Sequence, residues 1–255
     1  MSRTYQALQK AEADRQQRLI PPEVEPVISG RRRVDKVHLN NGTASQVEYQ
    51  KLRVWLTNPA GRERPLQTVM IVSCRAGTGS TTTATLLART LAEGKNFRVL
   101  IIDGNFRTSS LNRAFKVKNN GGFTEIVSAG APFEAHIQST DRQNLFVLTT
   151  GQKSLLPAEV FEGKAIELLL AELKQKFDFI IFDAAPVIEF PDSYALAPKV
   201  DGIILVVEAE KTSIEDAQRA QRNIEQAGGR LLGVVLNRRK NYIPALLQKF
   251  FHTPC

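Results

Sequence analysis

Residues 67–92, QTVMIVSCRAGTGSTTTATLLARTLA, decide the reading of the chain. The apolar run from Val69 to Val72 stops at Ser73 and passes through a small-residue turn holding Gly77 and Gly79. It then enters a segment with Ala84, Leu87, Ala88 and Leu91 at helical spacing. The order is strand, tight loop, helix. Glycine lets backbone N–H groups approach a ligand closely, and a helix N-terminus favours an anion, so the layout suits a phosphate. The loop has the shape of a nucleotide-binding P-loop with one departure: Ser80 follows Gly79, where such loops carry lysine. The pattern GxxxxGK(S/T) is therefore unmet, and the loop taken alone also describes a plain strand-to-helix connection.

The segments downstream repeat the theme. Residues 98–103 (RVLIID), 144–149 (NLFVLT), 178–183 (DFIIFD), 202–207 (GIILVV) and 231–236 (LLGVVL) are apolar runs that suit strands buried on both faces of a parallel sheet. Between them Ile166, Leu169, Leu170, Leu173 and Phe177 fall at helical spacing, as do Ile214, Ala217, Ile224 and Ala227. Strands alternating with helices predict an α/β domain. Its sheet is doubly wound, mostly parallel and flanked by helices, with right-handed crossovers and a ligand at the strand C-termini. Ser73, Asp103, Asp183 and Asn237 all stand at such ends.

Upstream, Ser45 and Glu48 form a capping-box pattern, and Val47, Tyr49, Leu52, Trp55 and Leu56 give the following helix an apolar side up to Pro59. Residues 1–19 are rich in helix formers and predict an N-terminal helix. Pro21, Pro22, Pro26, Gly30 and the triplet Arg31, Arg32, Arg33 mark 20–43 as a flexible basic linker. The expected organisation is completed by a nucleotide-binding-type domain over 44–240 and a tail over 241–255.

Composition bounds the partners. The 255 residues carry a formal charge of +8 and are 42% hydrophobic, an ordinary core with a pull toward anions: nucleotide phosphates, an acidic membrane leaflet or nucleic acid, among which charge alone does not choose. The basic excess gathers at Arg31–Arg33 and Lys36 and again at Arg238, Arg239, Lys240 and Lys249. Two cysteines, Cys74 and Cys255, give no disulfide framework, and neither a signal peptide nor a long apolar span appears, so a cytoplasmic location is expected. Cys74 reads as a small buried filler. His38, His136 and His252 show no metal-ligand spacing.

With these segments in hand, the chain from Ala44 to Asn237 resembles the bacterial tyrosine kinases of capsule and exopolysaccharide synthesis, a branch of the MinD/ParA-like P-loop ATPases. Family members show a loop like SxxPGEGKST, strands ending in DxDxR and in DTPP with a further Asp, then DG, and a strand ending in VLN. Here these read SCRAGTGSTT (73–82), Asp103-Gly104-Asn105-Phe106-Arg107, Asp183-Ala184-Ala185-Pro186 with Asp192, Asp201-Gly202, and Val235-Leu236-Asn237. Three departures fall on the nucleotide site: Ser80 for lysine, Asn105 for the second acid of DxDxR, and Ala184 for threonine. The ExxRxxR pattern of family oligomerisation aligns with Val47, Gln50 and Arg53. The C-terminal tyrosine cluster is missing, since Tyr242 alone follows Tyr194.

The resemblance implies ATP or ADP with Mg²⁺ as ligands, bound weakly. Gly77, Thr78, Gly79, Ser80, Thr81, Thr82, Arg107 and Asn237 are the nucleotide-binding positions, with Asn237 at the adenine and Arg107 meeting the phosphates or pairing with Asp103. Thr81, Asp103 and Asp183 are the metal positions, the two acids also being the catalytic ones. Arg75 stands where MinD/ParA-like proteins carry an extra lysine that reaches across a dimer interface to a neighbour's nucleotide.

The function expected is a kinase-like cytoplasmic component of an exopolysaccharide system, regulatory or scaffolding and with impaired ATP use. It would sit peripheral to the inner membrane on the cytoplasmic tail of a membrane-embedded chain-length regulator. An active tyrosine autokinase and a MinD/ParA-like positioning ATPase are the alternatives. Nucleic acid is not an expected partner, and homo-oligomerisation is left open.

Overall fold

The computed structural model describes residues 37–38, 43–58, 65–94, 97–152, 161 and 163–239. The chain divides into two units, residues 1–33 and 34–255. The helix expected over 1–19, most of the linker and the tail over 241–255 lie outside the described residues.

Among the described residues, eight strands form one sheet in the order β1-β8-β7-β2-β6-β3-β5-β4. They are β1 (Val37–His38), β2 (Thr68–Ser73), β3 (Val99–Gly104), β4 (Gln138–Ser139), β5 (Leu145–Leu148), β6 (Phe179–Ala184), β7 (Gly202–Glu208) and β8 (Leu231–Asn237). All neighbours pair in parallel except β4 with β5. The helices are α1 (Thr43–Thr57), α2 (Ser80–Leu91), α3 (Leu111–Phe115), α4 (Phe123–Ala129), α5 (Lys164–Lys176), α6 (Asp192–Leu196) and α7 (Ile214–Gln226).

Every residue of β2, β3, β6 and β7 is buried, which is why these strands read as continuous apolar runs with no alternation. The two-residue side-chain period sends alternate positions to two cores. Val69, Ile71, Val99, Ile101 and Ile181 pack with α1, α2 and α3 on one face. Met70, Leu100, Ile102, Ile180 and Phe182 pack with α4, α5 and α7 on the other. The doubly wound α/β architecture expected from the sequence is thus present.

The details differ where helical phase or strand length decides. In α1 the buried side runs through Tyr49, Leu52 and Leu56, while Val47, expected on that side, is 54% exposed. Two residues advance a helix by about 200°, which turns Val47 away from Tyr49. The helix begins at Thr43, upstream of the expected Ser45 cap. The sheet also reaches into the expected linker, because β1 adds a parallel edge to β8 through Val37↔Val235 and His38↔Leu236.

Leu87 is fully buried in the cluster that joins α2 to Tyr49, Leu52, Leu56 and the sheet. Leu87→Ala is expected to destabilise the chain by about 2–5 kcal/mol in urea unfolding, a cavity cost that a loss under about 1 kcal/mol would contradict.

Candidate active site

The loop from Cys74 to Gly79 joins β2 to α2 and is shaped by two left-handed glycines, Gly77 (φ 81°) and Gly79 (φ 94°). Gly79 is also the N-cap of α2, with no side-chain cap and no acid in the first turn. The N–H groups of Ser80, Thr81 and Thr82 therefore begin a helix whose positive end has no internal partner, an arrangement that favours an anion. Hydroxyls hold the loop from within: Ser73 Oγ donates to the Arg75 carbonyl at 2.9 Å and Thr78 Oγ1 to the same oxygen at 3.2 Å. Asn237 Nδ2, from the end of β8, donates to the Thr78 carbonyl at 2.8 Å.

Asp103 and Asp183 are register partners on the neighbouring strands β3 and β6. In the alternation of both strands they follow Ile101 and Ile181, so they lie on the face that carries α2. Their surroundings differ sharply. Asp103 accepts from the Asn105 N–H at 3.2 Å and, through Oδ2, from Ser109 Oγ (2.9 Å) and the N–H groups of Ser110 and Leu111 (3.1 Å each). It thus caps the start of α3. Burial raises its pKa, against the pull of those four donors.

Asp183 is fully buried, and neither carboxylate oxygen has a hydrogen-bond partner. Burial first, and the neighbouring Asp103 charge second, push it up to about 8. The Thr81 hydroxyl counteracts this only in part, without completing a hydrogen bond of normal geometry. An orphaned carboxylate facing a hydroxyl beside an anion cradle is a set of hard oxygen donors, the type that Mg²⁺ takes. Among the described residues no group of three or more acid, histidine or cysteine side chains gathers. The protein thus offers a partial shell, as fits an ion that keeps waters and binds phosphate oxygens.

The arginines around the loop are engaged with acids. Arg107 grips Asp192 through Nε (3.1 Å) and Nη2 (3.3 Å) and lies 5.0 Å from the Phe190 ring centroid, so its carboxylate partner is Asp192 and not Asp103. Asp192 is almost fully buried, and the fork of two parallel bonds satisfies it. Arg75 makes the same kind of fork with Asp216 of α7, at 2.7 and 3.1 Å. Arg238 pairs with Glu208 at 3.1 Å. A further acid reaches the loop itself, since Glu189 Oε1 accepts from the Ala76 N–H at 3.2 Å.

The structure therefore brings Gly77 to Thr82, Asp103, Asp183 and Asn237 together at the C-terminal ends of β2, β3, β6 and β8, and holds Arg107 on Asp192. Glu189 and Asp216 are contacts that sequence reasoning missed. Cys74 is buried, and its thiol is pushed up to about 11, chiefly by burial, which suits the filler role.

Comparison with known proteins agrees with this geometry. The AAA domain family matches residues 66–232. The tyrosine-protein kinase YwqD of Bacillus subtilis is 33% identical over 182 residues, covering 71% of this chain and 76% of its own. The tyrosine-protein kinase CpsD of Streptococcus pneumoniae is 33% identical over 174 residues, covering 68% and 76%. Among solved structures, the chimerical protein CapA2B2 superposes with a TM-score of 0.74 at 25% identity over 82% of this chain and 94% of its own. The septum site-determining protein MinD of Pyrococcus horikoshii, complexed with Mg-ADP, gives 0.57 at 25% identity over 74% and 78%. Fold, loop and relatives together place this chain in the bacterial tyrosine-kinase family of the MinD/ParA-like P-loop ATPases.

Proposed function

We propose that the chain is a kinase-like component of a bacterial exopolysaccharide or capsule system, working as a regulator or scaffold with impaired ATP use. The observation that carries this reading is Ser80, which begins α2 where the family's lysine would meet the phosphates, while Arg75, Arg107 and Arg238 are each held by an acid. Phosphoryl transfer depends on positioning and on neutralising charge at the phosphoryl oxygens, and this site has lost its main fixed cation.

In this reading the amides of Gly77 to Thr82 cradle the phosphates of ATP or ADP, and Thr81, Asp103 and Asp183 are the metal positions. Mg²⁺, when bound, supplies positive charge at the phosphate oxygens. Arg107 orders the rim through Asp192. Among the described residues no helix is long and apolar enough to cross a membrane. The proposed place is the cytoplasmic side of the inner membrane, on the tail of a chain-length regulator, with the basic residues 31–33 drawn to anionic lipid.

The names of the relatives favour a second reading, an active tyrosine autokinase in which Arg75 leaves Asp216 to serve the phosphates. Incubating the purified chain with radioactive ATP and Mg²⁺ separates the two. Little tyrosine labelling is expected, both because the lysine is gone and because Tyr242 alone follows Tyr194 in the sequence tested. Robust labelling that disappears in Asp103→Ala or Asp183→Ala would overturn the regulatory reading.

A further inference from the structure

Residues 185–190, between β6 and α6, run beside the anion loop and carry an acid against it. The Val187 N–H donates to the Ser73 carbonyl at 2.8 Å, and the Ile188 N–H to the Cys74 carbonyl at 3.3 Å. Behind this contact, Tyr194 Oη of α6 donates to the Val187 carbonyl and accepts from Asn223 Nδ2 of α7 at 2.8 Å. On the other side of Glu189, the Phe190 N–H donates to the Pro186 carbonyl at 3.1 Å, and the Phe190 ring centroid lies 5.0 Å from the Arg107 guanidinium. Both neighbours of Glu189 are therefore fixed, so its side chain leaves from a held backbone.

From there Glu189 Oε1 accepts from the Ala76 N–H at 3.2 Å. Ala76 stands at the proline of the pattern SxxPGEGKST, and proline has no N–H, so that pattern offers no donor here. The next residue is Gly77, where the amides assigned to the phosphates begin. The Glu189 charge acts as well on Arg75, whose guanidinium is already forked onto Asp216. An anion entering the loop meets a carboxylate anchored one residue from its amides, beside an arginine that two acids share.

We propose that Glu189 is an autoinhibitory acid: anchored on the Ala76 N–H, its carboxylate is an internal anion that weakens phosphate binding by charge repulsion. The ligand in this proposal rests on the nucleotide reading given above, whereas the anchoring of Glu189 does not. Glu189 is exposed, so salt reaches it and must weaken its effect. Glu189→Gln keeps an oxygen that can accept the Ala76 N–H and loses only the charge, while Glu189→Ala loses both.

The experiment is calorimetric titration of the full-length protein, wild type and both variants, with ADP and Mg²⁺ and separately with inorganic tripolyphosphate in EDTA. At low salt both variants should bind both probes about three- to tenfold more tightly than wild type, as a unit charge near a protein surface implies at this range. In about 1 M NaCl, where the screening length is about 3 Å, the gain should shrink to within about twofold.

Unchanged affinities in Glu189→Gln, with wild type binding both probes, would overturn the proposal and leave the nucleotide reading standing. A gain in Glu189→Ala alone would make the tether and not the charge the cause, and a gain that survives 1 M NaCl would do the same, so either sinks the proposal. Weaker ADP binding in Glu189→Gln with Mg²⁺ present would show that the carboxylate serves the cation, which overturns it equally. If wild type and variants all fail to bind either probe, the nucleotide reading fails and the proposal falls with it. Binding by the variants alone would sustain both.

Discussion

Ser80→Lys is expected to tighten binding of ADP or ATP by about ten- to a hundredfold, the worth of one charge-assisted hydrogen bond to a phosphate. The floor of the site carries Asp103 and Asp183 side by side, the latter ionising only toward pH 8 unless a cation joins it, and Glu189 brings a further carboxylate onto the Ala76 N–H. Opposing them are backbone amides, whose partial charges are smaller, and arginines already forked onto Asp216 and Asp192. Recruiting Arg75 would break both of its bonds to Asp216. On the proposed reading Mg²⁺, when bound, would supply most of the neutralisation in the natural chain. Calorimetric titration should show weak wild-type binding that EDTA abolishes, while Ser80→Lys keeps part of its affinity in EDTA. A submicromolar wild-type affinity that Ser80→Lys leaves unchanged would show that other groups already supply the missing charge.

Part of this site is written in local sequence pattern and part in contacts between distant residues. Strands β2, β3, β6 and β7 were legible because a strand buried on both faces needs only an apolar run. The acids Asp103 and Asp183 were legible for the same reason, since the apolar runs of β3 and β6 each stop at a charge, whereas the β2 run stops at Ser73. β1 and β4 are two residues each, too short for any periodicity to mark them. The choice of ion-pair partner was hidden more deeply. Arg107 and Asp192 are 85 positions apart, and Arg75 and Asp216 are 141 apart, so packing and not local pattern brings them together. The Asn237 contact to Thr78 spans 159 positions and was invisible for that reason.

Asp183→Asn should stabilise the metal-free protein at alkaline pH and, in the same stroke, remove its response to Mg²⁺ with nucleotide. A carboxylate with no partner in a fully buried place costs free energy whenever it is charged. Its pKa is raised to about 8 in the fold, against an ordinary value of 3.8. Below about pH 4 both folded and unfolded chains carry the proton, and the group is neutral in its effect. As pH rises from about 4 to 8, the unfolded chain loses the proton first, so the folded state gives up stability until it too ionises. Above about 8 the penalty is constant. Across that window the gap between Asp183→Asn and wild type should widen by on the order of 3–5 kcal/mol, measured by urea unfolding in EDTA. Asp103→Asn is the contrast. Its carboxylate accepts four hydrogen bonds that the amide cannot all replace, so that variant should be less stable than wild type at neutral pH. With Mg²⁺ and ADP present the ranking at residue 183 should reverse, because wild type gains a counter-ion and the asparagine variant does not. An Asp183→Asn chain that is destabilised at pH 8.5 in EDTA would mean that its carboxylate has a partner in solution, and the metal position would have to be sought elsewhere.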